Sequence, residues 1–169
     1  MLTVDTDIAG GDWPVATDWP ALATAACVAA LEQSAHAHFG HASYAVEVAV
    51  RLSDDADVRT LNAQYRHQDK PTNVLSFPMV AADELDALAN DGDGEVLLGD
   101  IILAAETCAT EAAAKSVSLA DHARHLIAHG MLHLLGLDHG DDATAAHMEG
   151  LETAALATLG LADPYAERD

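Results

Sequence analysis

The chain has 169 residues, of which half are hydrophobic and 4% are aromatic. This length suits one domain with its own core, so the sequence predicts a single domain over residues 1–169. Seven basic residues stand against 28 acidic ones, and the formal net charge is −21. Such a surface repels nucleic acid in general, so a polyanionic partner would have to meet the few basic residues at one place.

Signals for membrane insertion or secretion are missing from the sequence. No apolar stretch approaches the roughly 20 residues of a membrane span, which disfavours a membrane protein. The N-terminus lacks a basic region followed by an apolar one, as a signal peptide would have. Cys27 and Cys108 lie far apart in alanine-rich stretches. We therefore expect a cytoplasmic protein with two reduced thiols and no membrane partner.

Hydrophobic periodicity predicts alternating strands and helices in the first half of the chain. Residues 43–52 place Tyr44, Val46, Val48 and Val50 on one face, as in a half-buried strand. The other elements predicted here are an edge strand at Met1–Ile8, a helix at Ala21–His38, a helix capped by Ser53 or Asp54 that runs to about Arg66, and a short buried strand at Thr72–Phe77.

The second half of the chain continues the alternation after an acidic segment. Residues 83–95 carry six acidic residues and no basic one, which predicts an exposed insertion. The elements predicted next are a strand at Val96–Leu103, a helix to about Lys115, a helix opened by Ser118 and a helix at Asp142–Leu159. This order favours an α+β fold, a small mixed sheet of about four strands packed with about five helices.

Three histidines near the end of the fourth of these helices have the spacing of a metal site. His129 and His133 lie one helical turn apart on one face. Gly136 provides a helix stop, after which the chain can turn and bring His139 to the same point. Three imidazole nitrogens suit zinc and leave a fourth position open, as in catalytic zinc sites.

Two observations limit this interpretation. Histidine pairs four residues apart arise by chance in a chain with ten histidines, although a third one just after a glycine stop makes chance less credible. Zinc proteases of the H-E-x-x-H type carry a glutamate after the first histidine as general base, and Gly130 stands there instead. Peptide hydrolysis by that route is therefore disfavoured.

Four segments together resemble one known family. The segment H-G-M-L-H-L-L-G-L-D-H at residues 129–139 is similar to the H-G-x-L-H-L-x-G-Y-D-H signature of the YbeY family of bacterial rRNA maturation factors. Tyr65-Arg66 with D-K-P-T-N-V-L-S-F-P at residues 69–78 resembles that family's Y-R-x-x-D-x-P-T-N-V-L-S-F-P block. The remaining similarities are L-G-D-I at residues 98–101, and Met148, Glu152, Leu159-Gly160 and Asp163-Pro164-Tyr165 towards the C-terminus.

The resemblance implies a zinc-dependent, single-strand-specific endoribonuclease with one zinc ion per chain. It implies an RNA substrate, the 16S rRNA precursor, with roles in maturing its 3′ end and in ribosome quality control. The zinc-bearing helix is expected to lie at a cleft, with His129, His133 and His139 as ligands. Two departures stand out: Leu137 replaces the family's usual tyrosine, and His67-Gln68 replaces a usual Gly-Lys, which removes one cation.

Arg66 is the next candidate, because a guanidinium matches phosphate oxygens in a two-pronged way. Its alternative role is a surface ion pair with an acid such as Asp69. Asp138 could orient an imidazole or cap the turn after the helix, and Asn73 and Ser76 could touch substrate or satisfy a strand end.

Three of the other histidines are given positions outside the ligand set. His125 is predicted in the core or at the rim of the site, and His122 and His147 at the surface.

Two other classes of function stay open at this point. The chain could be a zinc hydrolase acting on peptides or other small substrates. It could also be a ribosome-assembly factor whose zinc is mainly structural and whose acidic surface binds basic ribosomal proteins. For the nuclease, water could attack the phosphorus directly, or a ribose 2′-hydroxyl could attack and leave a 2′,3′-cyclic phosphate.

Overall fold

The structure is a computed structural model that describes residues 1–87, 95–138 and 140–166, without the side chains of residues 86 and 87. Its elements are β1 (Leu2–Ile8), α1 (Trp19–Gln33), a 3₁₀ helix (Ala37–His41), β2 (Ala45–Ser53), α2 (Asp55–Arg66), β3 (Val74–Pro78), α3 (Ala82–Ala87), β4 (Glu95–Ala104), α4 (Ala105–Lys115), α5 (Leu119–Leu134) and α6 (Asp142–Thr158).

The four described strands form one mixed sheet in the order β1-β2-β4-β3. β1, β2 and β4 run parallel, and β3 pairs antiparallel with β4 at the edge. Six α-helices accompany the strands within the described residues, one more than expected because the acidic segment contributes the short helix α3. The predicted α+β class is therefore confirmed, whereas the zinc-bearing cleft stays a prediction.

Helices pack on both faces of the sheet. Ile101 and Leu103 of β4 point into the main core, which α1 and α5 share. Ile102 and Ala104, which alternate with them, point to the other face and pack with Val58 of α2. Helices α2 and α5 therefore lie on opposite sides of the sheet.

A glycine in β4 allows α5 to approach the sheet closely. Gly99 has φ +143° and lies where the register of β4 against β2 shifts. A Cβ atom there would lie 2.2 Å from the carbonyl oxygen of Phe77 and 2.9 Å from Cδ2 of Leu134. Only glycine fits this backbone conformation and this space. The C-terminal turn of α5, which carries His133, is thereby held against the sheet near β3.

One predicted helix boundary and one predicted exposure are wrong. Helix α1 ends at Gln33 rather than near His38, because the Ser34 hydroxyl donates to the Leu31 carbonyl at 2.7 Å and ends the helix there. The predicted acidic insertion is helical at its start, and Leu85 is fully buried in the main core. The exposure predicted for residues 83–95 is thus wrong at Leu85, and residues 88–94 lie outside the described residues.

None of the described helices is both long enough and apolar enough to cross a bilayer.

Candidate metal centre

Helix α5 brings two of the predicted ligands face to face. It begins after Ser118, whose hydroxyl accepts a hydrogen bond from the Asp121 amide at 3.0 Å, as the capping prediction required. One turn separates His129 and His133, and their Nε2 atoms lie 3.1 Å apart. Their ring planes are nearly perpendicular, with centroids 4.7 Å apart.

This spacing fits a shared metal ion. Two nitrogen ligands about 2.0–2.1 Å from a tetrahedral zinc ion lie about 3.3–3.4 Å apart. The observed 3.1 Å between the Nε2 atoms is within a few tenths of an ångström of that value. Small rotations of the two imidazoles would therefore suffice to hold the ion.

The third predicted ligand, His139, lies outside the described residues, and its role stays a prediction. What is described is the turn that leads to it. Gly136 has φ +90°, and its amide donates to the His133 carbonyl at 3.0 Å. The Leu137 amide donates back to the Leu132 carbonyl at 3.1 Å. The predicted glycine stop is confirmed, and it reverses the chain directly after His133.

A buried carboxylate on α6 orients His129. Glu152 is 0% exposed, and its Oε1 atom accepts from Nδ1 of His129 at 2.8 Å and from Nε2 of His125 at 3.1 Å. Its Oε2 atom accepts from the Tyr165 hydroxyl at 2.8 Å. Because Nδ1 of His129 carries the donated proton, Nε2 of a neutral ring is left with its lone pair, which is the form that binds a metal.

Opposing effects set the ionisation of Glu152. Burial by itself raises the pKa of this carboxyl, but the hydrogen bonds from His125 and His129, with a further one from Tyr165, outweigh burial and lower the pKa to about 2. Glu152 is therefore ionised at neutral pH. Burial and the nearby Glu152 charge raise the pKa of the Tyr165 hydroxyl, which stays protonated as a donor.

A second series of hydrogen-bonded side chains connects α4 to the site. Oε1 of Glu111 accepts from Nδ2 of Asn73 at 2.9 Å and lies 2.8 Å from Nε2 of His122. His122 is only 3% exposed, so its predicted surface position is wrong. The reason is that α4 packs along α5 and covers this face of the helix. Asn73 in turn lines a small cavity of about 140 Å³ that His129 also borders.

The structure does not bring Arg66 into contact with the histidines. Arg66 is exposed at the last position of α2, on the other side of the sheet from α5. Its alternative role is not observed either, because Asp69 accepts from Nε of Arg59 at 2.8 Å. Within the described residues Arg66 forms no ion pair, so its guanidinium is available to a ligand.

Sequence reasoning gave no role in the site to four of these residues. They are Glu111, Glu152 and Tyr165, which form the hydrogen bonds described above, and Lys115, which lines the 140 Å³ cavity with Asn73 and His129. A signal existed for Glu152, since a glutamate between Leu151 and Ala155–Leu156 lies on the apolar side of an otherwise alanine-rich helix. Tyr165 follows that helix on a short turn, where only the folded chain shows that its hydroxyl points back at Glu152.

Comparison with known proteins places the chain in a family. The family model described as Endoribonuclease YbeY matches residues 18–160. A protein named Endoribonuclease YbeY from Sphingopyxis alaskensis is 59% identical over 169 residues, the full length of both chains. Relatives of the same name from Rhizorhabdus wittichii and Zymomonas mobilis are 58% and 47% identical, over 92% and 100% of this chain and 92% and 96% of their own lengths.

A solved structure has a similar fold. The solution structure of a Thermotoga maritima protein matches with a TM-score of 0.52 at 19% identity, and the match covers 98% of this chain and 100% of that one. At this identity the likeness supports the fold alone. The family match and the full-length identities decide the assignment: this chain belongs to the YbeY endoribonuclease family.

Proposed function

We propose that the chain is a zinc-dependent endoribonuclease that cleaves single-stranded RNA, and that its substrate is the 16S rRNA precursor at its 3′ end. The observation that supports a metal site is the facing pair of Nε2 atoms on His129 and His133, 3.1 Å apart, with Glu152 holding the other nitrogen of His129. The names of the relatives support RNA as substrate. We further propose that it acts in the cytoplasm during rRNA maturation and ribosome quality control.

His129, His133 and His139 would hold the ion. When bound, zinc supplies a Lewis acid for a phosphoryl oxygen and lowers the pKa of a coordinated water to near 7. The donor set fits such an ion, since neutral imidazoles are good zinc ligands and a carboxylate–histidine pair is the usual support behind them. Metals other than zinc that accept imidazole would compete for the same ligands.

The described side chains have separate tasks in this proposal. Glu152 orients His129 rather than serving as general base, because its carboxylate is fully buried and both of its oxygens already accept hydrogen bonds. Arg66 contacts a phosphate of the RNA away from the metal, with its guanidinium fork on two oxygens. Asn73, whose amide is fixed by Glu111, borders the cavity at His129 and donates to substrate.

The first experiment compares cleavage of an unstructured RNA by the wild type, His133→Ala and His147→Ala. His147 is exposed on α6, so its replacement removes a histidine without touching the site. We expect His133→Ala to lose activity and bound metal together, while His147→Ala retains both. Equal cleavage by all three would overturn the proposal.

Mapping the product ends separates the two reaction routes. Attack by water leaves 5′-phosphate and 3′-hydroxyl ends, whereas attack by the ribose 2′-hydroxyl leaves a 2′,3′-cyclic phosphate.

The role of Arg66 has a matched control on the same helix. Arg59 is also exposed on α2 but is engaged with Asp69. We expect Arg66→Ala to raise KM for RNA by about tenfold, the value of one charge-assisted contact. Arg59→Ala should change KM less than twofold, and equal effects of the two variants would exclude a specific role for Arg66.

The other two functional classes predict different outcomes. A glutamate at position 130 would enter the core rather than the site, because a Cβ atom on Gly130 would already lie 2.9 Å from Cγ2 of Ile101. The protease arrangement is therefore incompatible with this packing, and a casein assay should show no cleavage. If the wild type binds one metal but cleaves no RNA, the assembly-factor hypothesis gains, and a ribosomal partner should be sought through the acidic surface.

A further inference from the structure

A cavity of about 610 Å³ lies beside the candidate metal centre. It is lined by the end of α4, the first half of α5, the end of α6 and the segment that follows α6, and it opens to solvent. This volume lies within the range of about 300–1,000 Å³ that is typical of small-molecule sites.

The cavity wall combines buried polar groups with apolar ones. His122 and His125 line it and are 3% and 8% exposed. Opposite them lie aliphatic side chains, among them Leu156, Leu161 and Pro164. A planar ligand with apolar faces fits such a wall, because its faces contact the aliphatic groups. Nε2 of His122 is bonded to Glu111 and Nε2 of His125 to Glu152, so the rings line the cavity as fixed groups.

The cavity is continuous in its lining with the space at the metal ligands. Lys115 and His125 border both the large cavity and the 140 Å³ cavity that His129 and Asn73 line. The two cavities are therefore neighbours across these two side chains. Lys115 is the basic residue that the two linings share, and a lysine ammonium is a common partner of phosphate.

We propose that this cavity is a nucleotide subsite: it binds the base of a nucleotide adjoining the scissile phosphodiester, while Lys115 contacts the backbone phosphate. This inference rests on the proposed function, which makes the bound ligand single-stranded RNA. It explains how a chain of net charge −21 binds RNA, since burial of one base adds affinity that the sparse basic residues do not supply.

Two neighbouring alanines on α4 provide a matched test. Ala114 is exposed at the rim and lines the cavity, whereas Ala113 is exposed beside it and is not among the lining residues. A tryptophan at position 114 adds bulk at the rim of the cavity, and one at position 113 adds the same bulk to the same helix. Both alanines precede the end of the helix, so the change in helix propensity is matched.

Binding is measured without metal, so that the subsite is tested separately from cleavage. Fluorescence anisotropy with a labelled single-stranded RNA in EDTA gives Kd for each protein. We expect Ala114→Trp to raise Kd by about tenfold and Ala113→Trp by less than twofold. Equal values for the two variants would overturn the proposal.

An abasic scan distinguishes a base from a phosphate as the occupant. RNAs that lack one base at successive positions should include one position at which the wild type and Ala113→Trp lose about tenfold in affinity. The same RNA should lose nothing further with Ala114→Trp, because the two changes remove one interaction. A flat scan, or additive losses, would mean that no base enters the cavity.

The outcomes separate this inference from the proposed function. If the wild type cleaves RNA and Ala114→Trp has an unchanged KM, the subsite is refuted and the nuclease proposal stands. If the wild type gives the predicted abasic scan but does not cleave RNA, the subsite is supported and the nuclease proposal is refuted. Should Ala114→Trp fail to fold by circular dichroism, Ala162→Trp blocks the same cavity from the exposed C-terminal side and must show the same loss.

Discussion

The carboxylate of Glu152 accepts a 2.8 Å hydrogen bond from Nδ1 of His129 and thereby connects α6 to the predicted metal ligand on α5. Its pKa, lowered to about 2 by the hydrogen bonds that outweigh burial, keeps it charged across the physiological range. A charged acceptor at this point fixes the tautomer of His129 and turns Nε2 towards His133. The geometry of the pair on α5 thus depends on a residue 23 positions further along the chain.

Glu152→Gln should therefore weaken metal binding. The amide lacks the negative charge of the carboxylate, and its NH2 group at the Oε2 position cannot accept from the Tyr165 hydroxyl. Replacement of a carboxylate behind a metal-bound histidine typically costs about 10–100-fold in affinity. Competition with a chromogenic chelator at pH 7 measures the change. Glu32→Gln, at an exposed position of α1, is the control and should bind metal as the wild type does. An unchanged affinity in Glu152→Gln would show that the carboxylate does not support the site.

Gly130 serves close packing between α5 and β4. A Cβ atom there would lie 2.9, 3.2 and 3.4 Å from three carbon atoms of the Ile101 side chain, which is fully buried. Alanine gains about 1 kcal/mol in helix propensity over glycine, while overpacking of a core costs about 1–3 kcal/mol. We expect Gly130→Ala to be net destabilising, by about 1 kcal/mol in urea unfolding.

Gly150→Ala separates the gain in helix propensity from the cost of overpacking. Gly150 lies inside α6 with nothing within 4 Å of its Cβ position, so alanine there gains helix propensity without a clash. It should stabilise the fold by about 1 kcal/mol. The difference between the two variants measures the contact with Ile101, and two equally stabilised variants would disprove that contact.

The pattern of the sequence predicts most of the elements, though not α3, and the local half of the site. Alternation predicted β1 and β2, and the spacing of His129 and His133 predicted their common face because both lie on one helix. Ser118 and Gly136 are local signals for the ends of that helix, and both act as predicted.

The sequence pattern did not predict which elements contact each other. His122 was predicted at the surface, but α1, α4, α6, β3 and β4 all pack against α5. The partner of His129 comes from α6 and that of His122 from α4. Which helices flank α5 follows from the packing of the whole sheet, and helical periodicity carries no information about it.

Both cysteines should be inert in the folded chain. Cys27 and Cys108 are fully buried, and burial raises the pKa of each thiol to about 12. Only the thiolate attacks a disulfide reagent, so we expect no rapid reaction with a chromogenic disulfide at pH 8 and two thiols per chain in denaturant. Ala113→Cys, which places one thiol at an exposed position, should react at once with a stoichiometry of one. Rapid reaction of the wild type would show that the core opens.

The buried imidazole of His122 should make stability depend on pH. Burial lowers the pKa of His122 below its usual range, although the hydrogen bond with Glu111 acts in the other direction. In the unfolded chain the ring takes up a proton near its ordinary pKa of about 6.5, at which the folded ring is still neutral. The contribution of His122 to the free energy of unfolding is therefore complete above about pH 6.5 and is lost as the pH falls through the lower, folded pKa.

Urea unfolding at pH values between 5 and 8 tests this dependence. The wild type should lose stability towards pH 5, and His122→Gln, which is neutral throughout, should lose less because one of the protons taken up on unfolding is gone. His147→Gln removes an exposed histidine from α6 and should keep the slope of the wild type. If the free energy of unfolding changes with pH by the same slope in His122→Gln and in the wild type, His122 takes up a proton as readily in the folded chain as in the unfolded one. The pair with Glu111 would then compensate burial fully.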